Sequence, residues 1–67
     1  MSNNKFRTTL QKNGEWAVKR EGAKKTSAIF NTQSDAWCDA RRRARGVEGE
    51  ALLEDKNGKV LSRNTYM

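Results

Sequence analysis

Residues Lys5–Lys19 read KFRTTLQKNGEWAVK, and the fold class turns on them. Phe6, Thr8 and Leu10 fall on one side of a period-two pattern, and Lys5, Arg7, Thr9 and Gln11 on the other. That alternation marks a half-buried strand. Asn13-Gly14 follows, a pair that tolerates positive φ at both centres of a type I′ hairpin turn. Trp16 and Val18 then resume the apolar side, with Ala17 and Lys19 opposite. The reading is a β-hairpin with one apolar face and one basic, polar face.

Toward the C-terminus, Arg20–Ser27 is a polar connection without periodicity, and Ala28–Phe30 is an apolar touch-down shorter than an ordinary strand. Thr32 stands where a helix N-cap belongs, with Asp35 three residues on in the capping-box position. The spacing predicts a helix over 33–45. Ala36, Ala40 and Ala44 form its buried stripe, Trp37 flanks them, and Cys38, Arg42 and Arg45 lie on the wet side. Arg41 and Arg43 fall at the borders, and Gly46 is the expected C-cap. Asn57-Gly58 then repeats the hairpin signal between Ala51–Glu54 and a shorter return over Val60–Ser62. The sum is an α+β fold, ββαβ(β), with an antiparallel sheet and one helix packed on one face. One domain spans residues 1–67, with 1–4 and 63–67 as frayed ends.

The totals narrow the function. Sixty-seven residues carry a formal charge of +6, and a chain of this size holds one thin core and no deep cleft. Residues 1–31 hold seven Lys/Arg against Glu15 and Glu21, a net +5; residues 32–67 hold seven against six acidic residues, a net +1. A single cysteine and no histidine exclude an internal disulfide and an ordinary zinc site. With no nucleophile–base spacing either, the expectation is a non-enzymatic protein without metal or cofactor. The sequence has no apolar run near the length of a membrane span, so the expected location is cytoplasmic.

A basic binding module is the remaining reading. Its first candidate surface is the hairpin's outer face, with Lys5, Arg7 and Lys19 on phosphates and Thr9 and Gln11 within reach of base edges. Lys24 and Lys25 add charge in a glycine-containing loop that lacks P-loop spacing. Arg42 and Arg45 offer a second surface at the end of ARRRAR (40–45). Against these stand plainer readings: arginine is a good helix former, favourable near a helix C-terminus, and exposed strands often carry Lys, Arg and Thr for solubility. Trp16 and Trp37 read as core residues, and Cys38 as an incidental thiol. The alternative function is protein–protein interaction, with an acidic surface or a second copy of the chain as partner. The expected state is monomer or homodimer.

The order of Trp16, Val18 and Lys19, then Gly22 and Ala23, Phe30 and Thr32, the alanines at 36, 40 and 44, and Gly58-Lys59 resembles the bacterial and phage family catalogued as Domain of Unknown Function 2188. The likeness covers most of the chain and implies the same fold and a bacterial or phage setting; it implies no activity. The sequence departs from that pattern in its arginine density and at Trp37. A weaker resemblance is to the arm-type DNA-binding domains of tyrosine integrases, which also read Gly-x-Trp, a basic loop and a Phe-x-Thr helix start. It implies a three-stranded sheet docked in the major groove. Here the segment before the helix is short for a third strand, and a further hairpin follows.

Overall fold

A computed structural model describes residues 4–66. The elements run β1 (Lys5–Leu10), β2 (Trp16–Arg20), β3 (Ala28–Phe30), α1 (Gln33–Gly46), β4 (Glu50–Glu54) and β5 (Val60–Thr65). All five strands join one sheet in the order β3-β2-β1-β4-β5. The α+β class and the single helix on one sheet face agree with the sequence reading; an all-antiparallel sheet does not. β4 pairs parallel to β1, with Phe6 opposite Ala51 and Arg7 opposite Leu52, because the chain crosses back over the sheet through α1 before β4 begins.

Two short segments gain strand structure from their neighbours. Ala28–Phe30 pairs with β2 from Trp16↔Phe30 to Val18↔Ala28. Arg63–Thr65, expected to fray, continues β5 along β4, past an irregularity at Leu53/Glu54. Even a three-residue segment pairs where a twisted sheet offers it a ladder. Residues 1–3 and 67 of the expected frayed ends lie outside the described residues.

The two Asn-Gly sites are built alike, and neither is a type I′ turn. In the first, the Gln11 N–H bonds the Glu15 carbonyl (2.7 Å) and the Gly14 N–H bonds that of Gln11 (3.1 Å). In the second, Asp55 pairs with Lys59 (2.8 Å) and Gly58 with Asp55 (3.0 Å). Gly14 and Gly58 take φ of 89° and 83°, while Glu48 is the non-glycine residue with positive φ among the described residues. Lys-Asn-Gly therefore makes a three-residue loop with only its glycine left-handed, a common hairpin solution.

The alanine stripe behaves as its spacing predicts. Ala36, Ala40 and Ala44 are fully buried beside Phe6, Val18 and Ala51, with Trp16, Phe30, Trp37 and Tyr66 packed around them. Thr32 Oγ1 accepts from the Asp35 N–H at 3.1 Å and caps the helix. The helix continues through Gly46 and not to a cap at it. The Glu48 N–H bonds the Arg45 carbonyl (3.3 Å) and the Gly49 N–H that of Ala44 (2.8 Å), a Schellman closure with Glu48 in the left-handed position. Gly49 has no room for a side chain, since a Cβ there would lie 2.6 Å from Asn4 Cβ and overlap the Asn4 carbonyl. Leu10, read as core, is 37% exposed, while Ala17, read as exposed, is 1% exposed. Leu10 stands at the end of its strand; Ala17 sits between Thr9 on β1 and Ile29 on β3.

Candidate nucleic-acid interface

The sheet face away from the helix carries Lys5, Arg7, Thr9 and Lys19, as the alternation requires, with Thr9 half-buried and Lys19 exposed. It is not a bare basic surface. The parallel register sets Lys5 opposite Glu50 and brings Glu54 to the same face. Arg7 donates to Glu54 Oε2 at 2.7 Å and to Glu21 Oε1 at 3.0 and 3.3 Å. These bonds, from Glu54 first and then Glu21, raise the Arg7 guanidinium above its already high pKa. Lys5 Nζ lies 3.9 Å from Glu50, which also takes Arg63 at 3.6 Å. Leu52, flanked across the sheet by Arg7 and Arg63, is only 2% exposed, as expected where long stems lie over an apolar neighbour. Half-buried Gln11 spends its backbone groups on the first turn.

The arginine run divides by helical position. Arg42 Nη2 and Arg43 Nε donate to the two oxygens of Asp39 at 2.7 and 2.6 Å, and Asp39 is 4% exposed. Burial alone would raise the Asp39 carboxyl, but the hydrogen bonds from Arg43 and Arg42 outweigh it and hold the group below the ordinary carboxylate range. Arg41 lies over the Trp37 ring, 5.4 Å from its centroid, and donates to Cys38 Sγ at 3.3 Å. Arg45 is exposed and makes no ion pair among the described residues. The i,i+3 and i,i+4 spacing of Asp39 to Arg42 and Arg43 is the signal that identifies this cluster; its burial is not readable from that spacing.

Lys24 and Lys25 are exposed in the β2–β3 connection, and like Lys19 and Arg45 they have no acidic partner among the described residues. Asn4, which the sequence reading left in a frayed end, ties this connection to the helix end. Its side-chain oxygen accepts from Arg20 Nη2 (3.2 Å), its amide donates to the Val47 carbonyl (3.5 Å), and its carbonyl accepts from the Glu50 N–H (2.8 Å). The β2–β3 loop and the C-terminal turns of α1 therefore share one end of the molecule. Both Lys-Asn-Gly turns and the helix start lie at the other, where Gln33 Nε2 reaches the Glu54 carbonyl (3.5 Å). The fold gathers Lys24, Lys25, Arg42 and Arg45 at one end but places Arg42 and Arg45 on the opposite layer from Lys5, Arg7 and Thr9. Glu48 shares that basic end without a basic partner among the described residues.

A family model described as an uncharacterized protein conserved in bacteria (DUF2188) matches residues 7–66. No curated protein and no solved structure matches the chain.

Proposed function

The chain belongs to the DUF2188 family of bacterial proteins, and from that premise we propose that it is a non-enzymatic nucleic-acid-binding module that grips phosphates with its basic end. One observation carries the reading. Lys5 and Arg7 are held by Glu50, Glu54 and Glu21, whereas Lys19, Lys24, Lys25 and Arg45 keep their charge uncompensated by any described acidic partner. A free cation that meets a phosphate releases counterions without first breaking an internal pair. Lys5 and Arg7 of the outer sheet face, by contrast, would have to surrender ion pairs to bind.

Fluorescence anisotropy with a short mixed-sequence duplex tests this at two salt concentrations. Lys24→Glu with Lys25→Glu is expected to weaken binding at least tenfold and to reduce the salt slope by about 2, one for each phosphate that is no longer neutralised. Lys5→Glu is expected to leave affinity within about twofold. The reverse pattern would return the site to the hairpin face, and absence of duplex binding by the wild type at low salt would end the proposal.

A protein partner is the second reading, favoured by the β5 edge. Val60 and Leu61 are 43% and 54% exposed there, on a six-residue strand paired on one side only. Such an edge is a template for strand addition. Leu61→Lys would weaken a partner bound through this edge and leave duplex binding unchanged.

A further inference from the structure

We propose that the shallow hollow lined by Cys38, Arg41, Arg42, Arg45 and Tyr66 is a phosphoryl-binding site. It lies on the solvent side of the helix and does not require a polymeric ligand. Its lining holds three guanidinium groups, a phenol and a thiol, and no carboxylate. Asp39 stands behind it, shared between Arg42 and Arg43.

The free donors of the hollow point to its ligand. Arg41 Nε is buried and has no hydrogen-bond partner; with Thr8 Oγ1 it is one of two such side-chain atoms among the described residues. Its Nη2 spends a donor on a thiol sulfur at 3.3 Å, a weak acceptor. A charged donor shut away from water without an acceptor is costly; Nε itself is closed to solvent, so an oxyanion in the hollow would meet the Nη groups of the same guanidinium. Arg45 stands one helical turn beyond Arg41 with no acidic partner among the described residues. Like charges at i,i+4 repel, a penalty that an anion between them reverses. The Tyr66 oxygen accepts from Asn64 Nδ2 at 3.3 Å, which leaves its own proton to donate.

These donors are held in place. Arg41 is stacked on Trp37. Tyr66 packs against the core and is fixed by its N–H to the Gly49 carbonyl at 2.8 Å. A planar guanidinium fork matches the paired oxygens of a phosphoryl group better than an ammonium does, and fixed donors lose little freedom on binding. The ligand class is a phosphate monoester or diester, presented free or at the end or along the backbone of a nucleic acid.

The experiment follows the Arg41 Nε–Hε resonance and the rate of Cys38 alkylation as sodium phosphate replaces sodium chloride at constant ionic strength and pH 7. A saturable shift of Arg41, with slowed alkylation of Cys38, is expected. Arg41→Lys, which retains charge and stem but not the fork, should weaken phosphate binding about tenfold, the scale of one charge-assisted hydrogen bond. Tyr66→Phe should weaken it several-fold, with circular dichroism confirming that both variants stay folded. A mononucleotide and a dinucleoside with one internal phosphodiester then separate the sources: preference for the first assigns the site to terminal or free phosphate, and equal binding of the second assigns it to backbone. Linear, unsaturated shifts indistinguishable from the chloride control, or unchanged phosphate affinity in Arg41→Lys, would overturn the proposal. Phosphate binding here without duplex binding would refute only the nucleic-acid function proposed above.

Discussion

Thr8 places a hydroxyl in the fully buried middle of the sheet, and Thr8 Oγ1 has no hydrogen-bond partner. A buried unsatisfied hydroxyl costs about 1–3 kcal/mol, so Thr8→Val, similar in shape without the polar atom, is expected to stabilise the protein by about 1 kcal/mol in urea unfolding. Asp39 is the opposite case, a buried carboxylate with two partners. Its pKa is lowered in the folded state, so its stabilising contribution is complete above the ordinary carboxylate pKa and is lost as pH falls through the lower folded value. Stability should therefore drop on acidification below about pH 4, where an unfolded aspartate begins to protonate. Asp39→Asn should cost about 2 kcal/mol at pH 7 and make that acid slope shallower, as thermal unfolding across pH 2–7 would record. The spacing of Asp39 to its arginines was legible in the sequence. The missing partner of Thr8 was not, because a threonine in an alternating strand reads the same whether or not its hydroxyl is satisfied.

At the scale of the element, the helix start was readable and its end was not. Thr32 and Asp35 act within four residues of each other, so the cap follows from local chemistry. The stop depends on Asn4, whose carbonyl and side chain meet the chain just beyond Gly46. The closure therefore forms at Glu48 and Gly49, and a glutamate is left at φ 52°. A left-handed non-glycine residue costs of order 1 kcal/mol, partly offset by the greater unfolded-state freedom that glycine would bring. Glu48→Gly is expected to stabilise the protein by about 0.5–1 kcal/mol in thermal unfolding, and Glu48→Ala to give no such gain.

At the scale of the molecule, the parallel pairing of β1 with β4 sets both stability and electrostatics. β1 is the central strand, bonded to β2 on one side and β4 on the other, so its amides have no route to exchange short of wide opening. Hydrogen exchange should be slowest at Phe6, Arg7 and Thr8, with β3 and β5 exchanging earlier; equal protection of β1 and β5 would contradict the topology. The same pairing carries Glu50 and Glu54 to the face that holds Lys5 and Arg7. A chain of +6 thereby spends part of its basic excess on internal pairs; among the described residues Lys24, Lys25 and Arg45 at the basic end stay without an ion pair, as do Lys19 on the sheet and Lys12, Lys56 and Lys59 around the two Lys-Asn-Gly turns.

The first hairpin, the helix with its alanine stripe and Thr32 cap, the second hairpin and the fold class were all legible in the residues alone. Each rests on periodicity or on turn and cap chemistry acting over a few residues. That β1 and β4 run parallel, that Ala28–Phe30 and Arg63–Thr65 pair as strands, and that Lys5 and Arg7 are neutralised emerged from the folded chain. Those outcomes depend on groups ten or more residues apart, such as Val18 with Ala28, and Arg7 with Glu21 and Glu54, 14 and 47 residues on. No local pattern encodes such encounters, because the alternation that sends Arg7 outward is blind to the strand that will lie beside it.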